Sequence, residues 1–253
     1  MADDALWREL HSLQTAMCFP LELPIYYASP SWLRARSVLD VGAGHGDYLR
    51  GLVRRFPEKS YLGIDIEPSY IEAAAATVES RAIAFAVGDV MTFEGSYEFV
   101  IARLLLQHLE DPGRAVSRLG QLTAPGGSAL IIDALDCYRA FYPPLLAYAE
   151  FFEAYRELER AAGRDRDIMQ RVPDLARATG IFEVREWDVL IPSTFPGHLD
   201  IFRAVYSRVI NLLTPALREQ CDTAEARREF DRWCADDLAY AQVGLRIARL
   251  DRM

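Results

Sequence analysis

Three glycines stand at alternate positions in the segment VLDVGAGHGDYLRGL, residues 38–52: Gly42, Gly44 and Gly46. The apolar run before them has the pattern of a buried strand, and the amphipathic run after them has that of a helix. Glycine permits positive φ and lets a ligand approach the backbone, and a helix start offers unpaired N–H groups. Packing of strand against helix is the alternative explanation, but three alternating glycines favour a loop on which a ligand rests.

Two acidic residues follow the next two predicted strands. Asp65 ends the strand in LGIDI, and Asp89 ends the strand in VGDVM. A carboxylate in the first position suits the hydroxyls of a ribose, and one in the second could accept a hydrogen bond from an exocyclic amine. Each acid alone could be a helix cap, whereas two in register behind a glycine loop indicate a nucleoside site.

A dinucleotide site of the NAD type is the competing interpretation. Its fingerprint is G-x-G-x-x-G, whereas the third glycine here, Gly46, comes one residue early. Asp40 also precedes the loop, where its negative charge would repel a pyrophosphate but attract a ligand with a cationic amine. The sequence therefore argues against a dinucleotide ligand.

The elements that position these residues alternate between apolar strands and helices from Ser37 onward. This alternation predicts an α/β fold with a mostly parallel, doubly wound sheet of seven strands, and added helices that form a cap. The carboxyl ends of parallel strands meet at one rim, where ligands bind. We expect residues 1–36 to form a helix, over 3–17, and a proline-rich loop that closes over the cofactor. Residues 37–253 form the binding domain, with helical insertions at about 138–165 and 196–240.

Residues 37–136 resemble the core of a class I S-adenosylmethionine (SAM)-dependent methyltransferase. VLDVGAGHG matches the glycine-loop signature, GIDIEP the acidic signature of the second strand, and AVGDV the adenine-binding turn. EFVIARLLLQHLEDP matches the fourth-strand segment, and TAPGGSALIID the turn into the fifth strand. The signatures occur in the family's order. The segment RDRDIMQRVPDLARATGIFEV resembles the family's small-molecule branch, which implies a small-molecule methyl acceptor.

The resemblance implies a role for each matching residue. Asp40 would hold the methionine amino group beside the backbone of Gly42, Ala43 and Gly44. Asp65 would bind the ribose hydroxyls, and Ile66 would pack on the adenine ring. Asp89 would accept a hydrogen bond from the adenine amine, with the Val90 N–H nearby. Ala102 and Arg103 would border the methionine end.

Candidates for catalysis and for binding the acceptor lie outside these motifs. His108 and His198 are the candidate general bases, needed where the nucleophile must lose a proton. Tyr26, Tyr27, Asp136 and Phe141 are the candidate acceptor-binding residues. Arg164, Arg166 and Arg171 could bind an acceptor carboxylate, or pair with neighbouring acids on a solvated face.

Composition limits the remaining possibilities. The net charge of −9 argues against a nucleic-acid partner. The four cysteines form no C-x-x-C pair, so we expect no metal site. The acidic N-terminus lacks a signal-peptide pattern, and no apolar run is long enough for a membrane span, so we expect a cytoplasmic protein, as monomer or homodimer.

Two alternatives to methyl transfer remain open at this stage. The same fold with the same cofactor could catalyse a different reaction. The chain could also be a non-catalytic binding subunit that supports a partner enzyme, although such a subunit has no reason to keep Asp40, Gly42, Gly44 and Asp65.

Overall fold

A computed structural model describes residues 2–253, with side chains from Ala5 onward. The strands are β1 (Ser37–Val41), β2 (Ser60–Asp65), β3 (Ile83–Val87), β4 (Tyr97–Arg103), β5 (Thr123–Ala134), β6 (Ala140–Tyr142), β7 (Phe182–Pro192) and β8 (Tyr240–Arg252). The helices are α1 (Ala2–Tyr27), α2 (Pro30–Arg34), α3 (Asp47–Arg55), α4 (Pro68–Ala75), α5 (Pro112–Leu122), α6 (Leu146–Ala161), α7 (Val172–Ala178), α8 (His198–Leu217) and α9 (Thr223–Cys234).

The strands form one sheet in the order β3-β2-β1-β4-β5-β8-β6, with β7 paired to β8. The first five strands of this order are parallel, and β8 runs antiparallel to β5, β6 and β7. This confirms the predicted mostly parallel α/β sheet, with an eighth short strand, β6, in addition to the seven expected. The carboxyl ends of β1, β2, β4 and β5 therefore share one rim.

Helices cover both faces of the sheet, because side chains alternate between the faces along each strand. Val38 belongs to the apolar cluster that includes α1, α3, α6, α8 and α9, and Leu39 belongs to the cluster beneath α5 and α7. Asp40 is two residues after Val38, so it lies on the same face as α1 and α3. This alternation places the Asp40 carboxyl under the N-terminal helix.

Helix α1 corrects the prediction for the N-terminal segment. We expected a loop from residue 18 to residue 32, because Pro20 and Pro24 each remove a backbone donor. The helix instead continues through both prolines to Tyr27. One face of its second half is buried, with Tyr26 and Glu22 both fully inaccessible to solvent. The free energy gained by packing this face therefore exceeds the cost of the two prolines.

The segment after β5 differs from the helical insertion predicted at about residues 138–165. A short turn at Asp136–Tyr138 leads into β6, which pairs with β8 through Phe141 and Ala241, and helix α6 begins at Leu146. The aromatic residues of this segment are therefore divided between a strand and a helix. Within residues 2–253, no helix combines the length and the apolar character that a bilayer crossing requires.

Candidate functional site

A cavity of about 460 Å³ lies at the carboxyl ends of β1, β4 and β5. Its floor is the glycine loop, and its walls come from α1, from the segments after β4 and β5, and from α6 and α8. It contains six of the residues that the sequence predicts for cofactor binding: Asp40, Gly42, Ala43, Gly44, Asp65 and Arg103. This is the rim at which open α/β sheets bind ligands.

Hydrogen bonds to the second strand hold the glycine loop in place. The N–H groups of Gly42 and Ala43 both donate to the Ile64 carbonyl, at 2.8 and 2.9 Å. The Gly44 N–H donates to Asp65 Oδ2 at 2.8 Å, and the Glu67 N–H donates to Asp65 Oδ1 at 3.0 Å. Gly42 and Gly44 have φ of 75° and 52°, in the left-handed region that favours glycine. Asp65 therefore shapes the loop that forms the floor of the cavity.

Asp40 is 2% exposed and lies in the cavity wall. Burial raises the pKa of its carboxyl to about 8, although the nearby Arg103 guanidinium opposes this rise. A buried carboxyl of this kind gains from a cationic partner, which replaces the hydration that it has lost. The cavity therefore has one site prepared for a positive group beside the glycine loop.

Helix α1 covers the glycine loop from above. His11 Nδ1 is 3.2 Å from His45 Nδ1 in the loop, and a Cβ at Gly44 would lie 3.3 Å from the His11 ring. Tyr70 completes the cluster, with its ring centroid 5.9 Å from that of His11. Burial lowers the pKa of His11 to about 4, so its imidazole is neutral at neutral pH. The His11 ring that covers Gly44 is therefore uncharged at neutral pH.

Arg103 lies at the end of β4, where the sequence predicts it. Its Nε donates to both oxygens of Glu22 on α1, at 3.1 and 3.2 Å, and its guanidinium stacks 4.6 Å from the centre of the Tyr48 ring. Burial acts to lower the pKa of Arg103, but Glu22 together with Cys18 and Tyr48 outweighs it, and the pKa is raised. Arg103 therefore links α1 to the carboxyl end of β4.

Two of the remaining candidates also line the cavity. His108 follows β4, with its side chain 43% exposed and Nδ1 3.7 Å from Glu159 Oε2. Asp136 follows β5, with its side chain 3% exposed between Arg139 and Arg166. Both residues are therefore within the same space as Asp40.

The other predicted residues lie outside the cavity. Tyr26 is buried, and its hydroxyl is hydrogen-bonded to that of Tyr48 at 2.7 Å, while Tyr27 packs on Phe56. His198 begins α8 and packs on Phe195. Phe141 belongs to an aromatic cluster with Tyr148 and Trp233, and Ala102 and Val90 lie in the core. The Asp89 side chain accepts a hydrogen bond from the Met91 N–H, and Ile66 is 69% exposed.

Sequence reasoning missed the contribution of α1 to the cavity. Trp7, His11, Gln14 and Cys18 all line it. These positions recur every three or four residues, so they share one helical face. The spacing was visible in the sequence, but nothing in it said that this face would meet the glycine loop. Arg139 was missed because it carries no motif.

Comparison with known proteins agrees with this geometry. A methyltransferase domain family model matches residues 38–127. An uncharacterized methyltransferase of Mycobacterium tuberculosis is 33% identical over 103 residues, 40% of this chain and 51% of that protein. Trans-aconitate 2-methyltransferase of Deinococcus radiodurans is 30% identical over 116 residues, 46% of this chain and 45% of its own. The chain thus spans about half the length of these curated relatives.

A solved structure extends the likeness beyond the matched segment. The phosphoethanolamine N-methyltransferase 2 of Haemonchus contortus, in complex with S-adenosyl-L-methionine, superimposes with a TM-score of 0.57 and 18% identity, covering 86% of this chain and 49% of that one. At this identity the likeness is one of fold. Residues 38–127 therefore match a methyltransferase domain, and the chain has the fold of a methyltransferase solved with S-adenosyl-L-methionine.

Proposed function

We propose that this protein transfers a methyl group from SAM to a small-molecule acceptor. The observation that carries the proposal is the placement of the buried Asp40 carboxyl and the Asp65 carboxylate on either side of the glycine loop, within one cavity. SAM has a cationic amino group and a ribose diol, which need these two acids. The trans-aconitate and phosphoethanolamine methyltransferases named above support a small-molecule acceptor.

The residues of the cavity fit the cofactor. Leu105 Cδ1 would lie 2.9 Å from a Cβ at Gly42, so a side chain there would displace Leu105 in the cavity wall. Asp40 would accept from the methionine amine, and Asp65 from the ribose hydroxyls. Ile66, Asp89 and the Val90 N–H, which lie outside the cavity, would hold the adenine. Ala102 would contribute backbone alone, since its side chain is in the core.

Bound SAM supplies an activated methyl group on a sulfonium, an excellent leaving group. The protein's task is then to align the acceptor and exclude water, and such positioning is worth roughly 7–11 kcal/mol of the barrier. His108 is the proposed base, because its ring lines the cavity and Glu159 lies 3.7 Å from Nδ1 to orient it. His198, outside the cavity, is not placed for this role.

Calorimetric titration with SAM, with S-adenosylhomocysteine (SAH) and with NAD tests the cofactor. We expect SAM and SAH to bind and NAD not to bind, because a pyrophosphate gives the buried Asp40 carboxyl no cationic partner. A ligand at a hundred times its Kd should stabilise the protein by about 2.7 kcal/mol. Binding of NAD alone, or of none of the three, would refute the proposal. Measuring whether SAH is released from SAM when an acceptor is added then distinguishes methyl transfer from other reactions catalysed by this fold.

The pKa of Asp40 predicts how SAH affinity depends on pH. Burial raises that pKa from 3.8 to about 8 in the free protein, so the carboxyl is protonated at pH 6. A bound ammonium favours the carboxylate, so binding releases up to one proton per site. SAH affinity should therefore increase as pH rises toward 8 and level off above it. The free protein should lose stability over the same range, because its folded state favours the protonated form.

Calorimetry in buffers of different ionisation enthalpy measures this proton release directly. Asp40→Asn is the matched variant, because it has the same shape but no titrating group. We expect it to bind SAH more weakly and without proton release near pH 7. Equal proton release by the variant and the wild type would assign the titration to another group.

A further inference from the structure

We propose that the methyl acceptor carries a carboxylate or phosphate group, and that Arg139 and Arg166 bind it at the β5 side of the cavity. The proposal rests on the proposed function, since it concerns the acceptor of the same site. It names a substrate class and two residues to which no motif assigns a role.

The two guanidiniums meet on one carboxylate. Arg166 donates to Asp136 through Nε, at 2.9 Å, and through Nη2, at 3.4 Å, and Arg139 pairs with the same carboxylate through Nη2. Both arginine side chains are 13% exposed, and both line the cavity. Arg139 Nε is buried and has no hydrogen-bond partner among the described residues. Donors thus remain after Asp136 has been bound.

Arg139 and Arg166 share Asp136 as their ion-paired carboxylate. Two arginines face one carboxylate, and they hold the pKa of Asp136 below its ordinary value although burial acts to raise it. Asp133, the next acid along, accepts the N–H groups of Gln107 and Ala134, and burial raises its pKa. Arg156, which also acts on Asp136, is itself paired with Asp167. The two arginines therefore share the Asp136 carboxylate in a place largely closed to water, and an anion would pair with the N–H donors that Asp136 leaves unused.

The position of the cluster suits the acceptor rather than the cofactor. Asp136 follows β5, which is two strands from β1, and neighbouring strands are about 4.8 Å apart. The cluster is thus displaced by roughly 10 Å across the sheet from the glycine loop, where Asp40 and Asp65 favour positive charge. An acceptor anchored here would extend toward Arg103 and the cofactor's methionine end.

Aromatic rings hold the two guanidiniums in fixed orientations. Arg139 lies 3.2 Å from the centre of the Phe152 ring, and Arg166 lies 5.3 Å from that of Tyr155. Stacking on the face of a guanidinium leaves its edge of N–H groups for a planar or tetrahedral anion. Val205 and Leu213 on α8 supply apolar wall beside them. The expected acceptor is therefore an anion attached to an apolar body.

The other arginines of the segment behave differently. Arg164 pairs with Glu159, and Arg171 pairs with Asp165 with its side chain 62% exposed. For these two residues, the second of the two possibilities raised by the sequence applies: they pair with neighbouring acids instead of facing the cavity. Burial against Asp136 distinguishes Arg166 from them.

Titration of SAH-saturated protein with benzoate, phenyl phosphate and benzamide tests the proposal. These probes share an aromatic body, and benzamide lacks the charge. We expect at least one anion to bind about tenfold more tightly than benzamide, because a charge-assisted bidentate contact is lost with the neutral probe. The stronger of the two anions indicates whether the natural group is a carboxylate or a phosphate.

Arg139→Gln should reduce this preference to less than about threefold while SAH affinity stays within about twofold, since the residue is remote from the glycine loop. Arg166→Lys keeps a charge beside Asp136, so it preserves folding, and should lose the same preference. Arg171→Gln is the exposed control and should behave as wild type. The proposal is overturned if benzamide binds as tightly as the anions, if no anion binds, or if both site variants keep the preference. Failure of SAH to bind would instead count against the proposed function, and the same titration of free protein would still test the anion site.

Discussion

Asp65→Ala is expected to lower the affinity for SAH by about a hundredfold or more. In the free protein each oxygen of Asp65 already accepts one backbone N–H, from Gly44 and from Glu67. A carboxylate oxygen has two lone pairs, so one acceptor position per oxygen remains for a ribose hydroxyl. Two hydrogen bonds to a charged group, at about 1.5 kcal/mol or more each, account for a loss of this size.

The same substitution also releases the glycine loop, so the two effects must be measured separately. Urea unfolding of the free protein should show a loss of about 1–3 kcal/mol, because the Gly44 N–H loses its partner. Calorimetry with SAH gives the binding loss. Glu67→Gln is the matched control: it lies two residues away, is exposed and caps α4 through the Ser69 N–H. A folded Asp65→Ala protein with wild-type SAH affinity would contradict the assignment of Asp65.

The glycine loop and its acids could be predicted because their chemistry is local. A strand, a loop with Gly42 and Gly44, and a helix are contiguous in the chain, and the rim position of Asp65 follows from the parallel topology alone. The fold class follows from the same alternation of elements. The prediction of seven strands was short by one, since β6 depends on pairing with β8, a hundred residues later along the chain.

The cap could not be predicted in this way, because its structure depends on contacts between distant segments. Pro20 and Pro24 indicate a loop by local rules, and the burial of Glu22 against Arg103 overrides them. Likewise, Tyr26 and Tyr27 were expected at the acceptor site because they are aromatic residues, but Tyr26 is buried and its hydroxyl is hydrogen-bonded to that of Tyr48. Arg139 lines the cavity because it follows the short turn at Asp136–Tyr138, and the sequence has no periodic pattern that predicts this turn.

Removal of one partner from the buried pair of Glu22 and Arg103 is expected to cost about 3–5 kcal/mol of unfolding free energy. Their side chains are 0% and 8% exposed, so Arg103→Met leaves a carboxylate in a closed apolar setting. The double substitution Glu22→Leu with Arg103→Met should restore most of the loss, because neither charge is then left unpaired. Urea unfolding of the two single variants and of the double variant measures the coupling.

The exposed pair of Glu9 and Arg208 provides the control on the same helix. It joins α1 to α8 with an N–O distance of 2.7 Å, but its side chains are 56% and 29% exposed. Breaking it should cost less than about 1 kcal/mol, because water and salt screen exposed charges. If the losses of unfolding free energy in the two single variants simply add in the double variant, the pair of Glu22 and Arg103 does not hold α1 in place.

The buried pair also connects the cap to the cofactor site through Asp40. The Arg103 guanidinium lowers the pKa of Asp40 against the effect of burial, so Arg103→Met should raise that pKa further. The rise in SAH affinity with pH should then be displaced to higher pH in the Arg103→Met protein. A purely structural role for Arg103 would lower stability and leave the pH dependence where it is. Displacement in the double variant as well would show that the electrostatic effect on Asp40 is separate from the anchoring of α1.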